Sequence, residues 1–237
     1  MLRKLMVALA FAIIATAGFA SRALADAAGA WQAYQSGQYA AAAREIKALA
    51  EAGDAAAQFY LGTFHSDGLA MKRDYRRAAE WYAAAAAKGH DDAKFALGFL
   101  YFNGAGEGAG AVPADPALAA RWLKAAAERG NVAAQSMLAV LYGEGYDLPR
   151  DAKESFRWAH VAALRGNAAA QYQMGRLKAE TLDVSSWSEA YTWFLLADRR
   201  GYPGARESTA VVAGQLDAKT LAEAVVRADD FVPRPPR

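Results

Sequence analysis

No cysteine occurs anywhere in the chain. That excludes thiol catalysis, thiolate-bound metal and disulfide exchange, and leaves stability to packing alone. Histidine is nearly as scarce, with only His65, His90 and His160. No two of them have the spacing of a metal pair, so no metal and no other cofactor is expected. The strand-to-helix nucleophile elbow Gly-x-Ser-x-Gly is also missing, and no catalytic residue is assigned. Strand-like alternation of apolar and polar residues does not stand out, and aromatics and alanine instead recur at helical spacing. Neither sign of charge dominates, with 27 Lys and Arg against 25 Asp and Glu.

The longest apolar stretch, Leu5 to Ala20, covers 16 residues, short of the ~20 a membrane-spanning helix needs. It follows Arg3 and Lys4 and precedes Ala23-Leu24-Ala25, a small-x-small cleavage site. Residues 1–25 therefore read as a secretory signal peptide with the mature chain starting at Asp26. Without a cysteine there is no lipid attachment. Removal of Arg3, Lys4 and Arg22 leaves 24 cations against 25 anions, a net charge of −1, and nothing calls for nucleic-acid binding. The signal reads as bacterial and the compartment as periplasmic, with membrane contact only through the signal peptide or a membrane partner.

What the mature chain does have is a repeat. Gly53, Gly89, Gly130, Gly166 and, more weakly, Gly201 open similar blocks at intervals of 36, 41, 36 and 35 residues. A first segment runs Gly-x-x-x-Ala and on to a Leu/Met-Gly/Ala step, as in GDAAAQFYLGTFHSDG from Gly53. A second segment runs from an Asp or Ser to Ala-x-x-Trp, as in DYRRAAEWYAAAAAK from Asp74. Trp81, Trp122, Trp158 and Trp193 occupy one slot, so four of the six tryptophans mark one packing site, read as a seam between hairpins. A period of this size signals stacked helical hairpins.

Each segment reads as a helix. Asp74, Asp115 and Asp151 suit the N-cap, with Ser186 in that role in the fourth copy. The opening glycines fall just past the preceding helix, where a positive φ is needed. Lys88, Arg129, Arg165 and Arg200 precede them, at the negative end of the helix dipole. Gly62, Gly98, Ala139 and Gly175 lie mid-helix, where Gly costs about 1 kcal/mol against Ala. Close approach of two backbones is the reason expected.

The pattern resembles the Sel-one-like repeat (SLR) family, relatives of the tetratricopeptide-like helical repeats. The residues that carry the likeness are Ala57-Gln58-x-x-Leu61-Gly62, Gly68, Asp74, Ala78-x-x-Trp81 and their later equivalents. The resemblance implies an all-α, right-handed α/α superhelical solenoid of about four repeats with degenerate terminal hairpins. The divisions expected are a cap at 26–52, repeats at 53–88, 89–129, 130–165 and 166–200, a closing hairpin at 201–231 and an extended Pro/Arg tail at 232–237. The resemblance also implies that the chain, as a monomer, holds another protein or peptide in a concave groove. Combined with helical spacing, the family orientation places Phe59, Thr63 and Asp67, then Phe95, Phe99, Phe102 and Asn103, then Ser136, Val140 and Glu144, then Tyr172, Arg176 and Glu180 on that groove. Phe95, Phe99 and Phe102 form one stripe, either groove or core.

Outside the repeat pattern, the glycine-rich insertion Ala105–Pro113 reads as a flexible surface loop, because no strand precedes it and no Lys-Ser/Thr follows. The tail, Val232 onward, reads as mobile. His65 stands where the next two copies carry Tyr101 and Tyr142 and fills a packing slot. The leading function is a scaffold, adaptor or regulator in the bacterial envelope, not an enzyme. The rival is a peptidoglycan-directed enzyme or accessory, which would need a pocket with two facing carboxylates. A third reading, a sensor module for a membrane kinase, differs only in partner. Expression of the full chain in a Gram-negative host is expected to yield a periplasmic product whose intact mass begins at Asp26; a cytoplasmic or uncleaved product would refute the signal assignment.

Overall fold

The computed structural model describes residues 29, 32–146, 149–181 and 183–235. The expected signal segment 1–25, most of 26–31 and the last two residues lie outside them. Among the described residues these α-helices follow one another: α1 (Tyr39–Glu51), α2 (Ala55–Asp67), α3 (Tyr75–Ala87), α4 (Asp91–Asn103), α5 (Pro116–Glu128), α6 (Val132–Glu144), α7 (Ala152–Leu164), α8 (Ala168–Ala179), α9 (Val184–Asp198), α10 (Ala205–Ala213) and α11 (Ala218–Asp229). Residues 32–35 are also helical, and no strand is present among the described residues. The fold is all-α with consecutive helices paired, the solenoid class expected.

The described residues form two compact units, one of those up to 93 with 104–113, the other of 94–103 with those from 114 onward. In the first unit α2 packs on both α1 and α3. Its core is Ala42, Ile46, Ala50, Leu61 and Phe64, with Trp81 laid against it. In the second unit each helix from α5 to α9 packs on the next, α6 touches α8, and α9 also holds α11. Leu123, Leu138, Leu141, Trp158 and Met174 form its larger core, with Phe95, Phe102 and Trp193 packed against it. A second cluster of Tyr191, Phe194 and Val212 closes the C-terminal end. Trp81, Trp158 and Trp193 of the tryptophan slot thus lie in or against the core, as expected of a seam.

The mid-helix glycines are contact points. A β-carbon on Gly62 would stand 2.6 Å from the Tyr82 ring, one on Gly98 2.8 Å from Leu123, and one on Gly175 2.5 Å from Phe194. Tyr82, Leu123 and Phe194 share one position in their copies. The third copy carries Ala139 and Ala159 at the same two positions, both fully buried. A large residue on the second helix therefore goes with glycine on the first, and two alanines replace the combination.

Polar groups at the helix ends are satisfied by a repeating set. Asp54, Asn131 and Asn167 accept from the N–H three residues on, at 2.7–2.9 Å, and His90 does the same through Nδ1 at 3.3 Å. The glycines between copies have φ of 84–94° at Gly53, Gly89, Gly130 and Gly166, which only glycine adopts without strain. Two of the cations before them do more than face a dipole. Lys88 Nζ donates to the Gly53 carbonyl, and Arg165 donates to the Gly130 carbonyl at 2.8 Å, each 35 residues back. Gln58, Gln135 and Gln171 donate to Ala50, Ala127 and Ala163 carbonyls at 3.0–3.2 Å, satisfying the end of the preceding helix.

Three expectations are corrected. The fourth copy's second helix begins at Val184, and its N-cap is Asp183, which accepts from the Ser186 N–H at 2.8 Å. The better acceptor lies one turn earlier, so the helix is longer and Ser186 sits inside it. The insertion 105–113 is an ordered loop, closed by Ala105 and Val112 exchanging hydrogen bonds of 2.8 and 2.9 Å around a short 3-10 turn. Val112 is buried, which anchors it. The tail is extended but docked: the Arg234 N–H donates to the Leu164 carbonyl at 2.8 Å, and Phe231 packs on Trp193 beneath the Arg200 guanidinium.

Gly98→Ala is expected to destabilise the protein by about 1–3 kcal/mol despite the better helix propensity of Ala, because Leu123 must move. Leu123→Ala alone is expected to cost about 2–5 kcal/mol. The double variant, which reproduces the Ala139/Ala159 pair, is expected to fall short of the sum by about 1 kcal/mol in urea denaturation. Strict additivity would refute the coupling.

Candidate binding site

The residues proposed from sequence fall in different environments. In the first unit, Phe59 stacks on His90 with centroids 4.7 Å apart. The Thr63 hydroxyl donates to the Phe59 carbonyl at 3.2 Å and accepts from the Tyr82 hydroxyl at 3.3 Å. The Asp67 carboxylate accepts from Ser66 at 2.9 Å. Phe59 and Thr63 are half-buried and tied into the hairpin, while Asp67 is exposed.

The second unit carries an accessible aromatic face. Phe99 is 51% exposed, and Phe95 lies beside it at 6.2 Å between ring centroids. Phe95 and Phe102 are half-buried against the core, so the stripe is one exposed ring flanked by two supporting ones. Tyr146, just past α6, is 50% exposed and meets Phe102 edge to face at 5.7 Å. It extends the aromatic face. Asn103 turns back and donates to the Phe99 carbonyl at 3.0 Å, which fixes the end of α4.

Further along the same unit the first helices carry charge pairs. Arg176 on α8 pairs with Glu144 on α6, and Arg150 pairs with Glu180 at 2.9 Å. Tyr172 is half-buried between Phe194 and Tyr202, with centroids 5.3 and 4.9 Å away. Val140 is half-buried, whereas Ser136 is buried at 5% exposure and faces the core, correcting its placement on the groove. The sequence pattern missed it because small residues fit either side of a helix.

A feature that the repeat pattern did not single out lies in the first unit. The ordered loop folds over the start of α3 and forms a cleft of about 640 Å³ lined by His65, Lys72, Arg73, Tyr75, Arg77 and Gly106 among others. Gly106 is required there, since a β-carbon would stand 2.8 Å from the Tyr75 ring. The sequence signal was the basic run Met71-Lys-Arg-Asp-Tyr-Arg-Arg77, which reads as ordinary solvated charge when its distance from the insertion is unknown. Asp74 and Glu107 also line the cleft. Asp74 is engaged as the N-cap of α3, accepting from the Arg77 N–H at 3.0 Å and pairing with its side chain at 3.8 Å. The residues therefore favour holding an anion over acid–base work. No group of three or more potential metal ligands is found among the described residues.

His65 is 8% exposed, and its Nδ1 has no hydrogen-bond partner among the described residues. Burial pulls its pKa below the ordinary value, and the Arg77 charge pulls the same way against weaker opposition from Asp74 and Glu80. His160, stacked on Phe156 at 5.7 Å, is lowered by burial, then by Arg234 and Lys178.

With this geometry in view, the comparisons with known proteins are informative. Sel1 repeats match residues 55–90, 91–131 and 132–167. The fourth hairpin, α8 with α9, lies almost wholly beyond the matched residues. The crystal structure of a Sel1 repeat protein from Oxalobacter formigenes is similar, with a TM-score of 0.68 at 21% identity, over 86% of this chain and 82% of that one. A protective antigen present in uropathogenic Escherichia coli strains, displaying an SLR fold, matches with a TM-score of 0.52 at 24% identity over 81% of this chain. The match covers 48% of the antigen, so this chain spans about half its length. No curated protein matches the chain in sequence.

A histidine whose folded pKa is depressed binds fewer protons than in the unfolded chain. Stability is therefore lost as the pH falls from the ordinary value of 6.5 towards the lowered one. His65→Tyr restores the residue of the next two copies and is expected to reduce this acid loss in urea midpoints compared between pH 7.5 and pH 5. An unchanged pH dependence would show that His65 contributes none of it.

Proposed function

Because the chain carries Sel1 repeats, a scaffold fold that generally serves protein–protein contact, we propose that it is an exported adaptor or regulator. It holds another protein or peptide on the face built from the first helices of its hairpins. The observation that carries this reading is Phe99, a large ring left half in solvent on a helix whose neighbouring rings are buried enough to hold it rigid. Rigid aromatics of this kind serve as interface anchors. Tyr146 supplies a second ring, and the Glu144–Arg176 and Glu180–Arg150 pairs supply a polar rim further along. The compartment in this reading is the bacterial periplasm, reached through residues 1–25. It uses no catalytic residue and no cofactor, and a single copy of the chain suffices.

A photo-crosslinking residue at Phe99 is expected to capture one discrete envelope protein, while the same residue at exposed Val226 on α11 does not. Phe99→Ala is then expected to weaken that partner's affinity by about 2 kcal/mol, roughly thirtyfold, with circular dichroism unchanged. Equal capture from both positions, or unchanged affinity, would refute the assignment.

A further inference from the structure

We propose that the cleft between the glycine-rich loop and the start of α3 is a second recognition site, one that takes an acidic peptide segment through Lys72, Arg73 and Arg77.

Four independent features meet there. The copies depart from one another at this place. His65 replaces the tyrosine of the next two copies, so a shorter side chain sits on the floor of the cleft. The insertion that lengthens one repeat interval to 41 residues supplies the opposite wall through Gly106 and Gly110. The floor holds a buried polar atom with no partner, His65 Nδ1. Such groups are rare in native proteins and call for an explanation. The backbone leading in is strained: Ala70, with φ of 56°, is the single non-glycine with positive φ among the described residues. Strain of this sort concentrates at ligand clamps and switch regions. Finally, the cations are open to a carboxylate, although the Arg73 guanidinium already donates one N–H to the Asp67 backbone carbonyl, a neutral partner, at 3.1 Å. Lys72 makes no ion pair among the described residues. The Arg77 side chain is 66% exposed, and its Asp74 partner is already bound to backbone. By contrast, the third copy's Arg150, in the position of Arg73, is taken up by Glu180.

Three cations against Asp74 and Glu107 leave the cleft net positive. Arginine forks match carboxylates in bidentate geometry, and the Arg73 guanidinium already lies 6.0 Å from the Tyr75 ring centroid. A volume of about 640 Å³ is that of a ligand site and suits several residues of an extended segment. The inference rests on the scaffold reading only in assigning the carboxylates to a peptide; the site is separate from Phe99.

The test is fluorescence anisotropy of the full mature chain with labelled hexaglutamate. Saturable binding is expected, weakened by added salt and absent for hexaglutamine. The Lys72→Gln/Arg77→Gln variant is expected to weaken it at least about tenfold. Arg157→Gln, an exposed cation on α7, and Phe99→Ala are expected to change it less than about twofold. Loss in Phe99→Ala would merge the two sites and overturn the proposal. Equal loss in Arg157→Gln, binding of hexaglutamine, or no binding at all would also overturn it while leaving the Phe99 result standing. Full displacement by millimolar inorganic phosphate would assign the cleft to a free anion and overturn the peptide.

Discussion

In three of the four repeat hairpins the two helices come so close that a single β-carbon would not fit beneath the side chain that reaches across. At Gly62, Gly98 and Gly175 the first helix gives up its side chain, and Tyr82, Leu123 and Phe194 occupy the space. The third copy has Ala139 and Ala159 there, both fully buried, and Ser155 adds a hydrogen bond of 2.7 Å to the Ala139 carbonyl. Total volume at the crossing matters more than the identity of either residue. The alanine content follows from this, because helices packed on both sides leave little space for anything larger. Seven successive helices of 13 residues, about 20 Å each, keep the contact at the same level in every hairpin.

Close packing creates a second problem, which the repeat solves the same way each time. Helix ends brought near a neighbour lose water before they gain partners. Gln58, Gln135 and Gln171 reach back to carbonyls of the helix before, and Lys88 and Arg165 reach back to the glycine that opened their own copy. With no cysteine available, these polar links hold successive helices in register. Each is modest, about 1 kcal/mol or somewhat more where a charge is involved.

Requirements met within a few residues were legible in the sequence. The opening glycines announce a positive φ, Asp74, Asp115 and Asp151 announce caps, and four tryptophans at one spacing announce a seam. Requirements met across the fold were not. The cations before the glycines were read as dipole partners because a bond to a carbonyl 35 residues away has no local sign. Ser186 was read as a cap by holding the copies to equal length, when Asp183 offered a better acceptor. Glycine in the insertion was read as mobility, although Gly106 serves close packing against Tyr75. Phe95 and Phe102 share the stripe with Phe99, yet helical spacing alone does not say that the middle ring is exposed and the other two half-buried. Ser136 shows the same limit at a small residue.

The residues that build the hairpins recur, so they carry little information about what is bound. A position that varies among copies while the backbone stays the same is free of the packing constraint, and its identity reflects something else. Phe99 is such a position, and so is His65 in a tyrosine slot. The insertion is another, because the adjacent copies turn between the same two helices without it. The docking of the tail through Arg234 and Phe231 fits this logic at the other end. Phe231 covers Trp193, and the extended residues after it reach back to the Leu164 carbonyl at the end of α7, so the terminal departure is accounted for by packing. The departures in the first two copies are not. They leave a ring in solvent and three cations around an open cleft, which the packing of the hairpins does not call for.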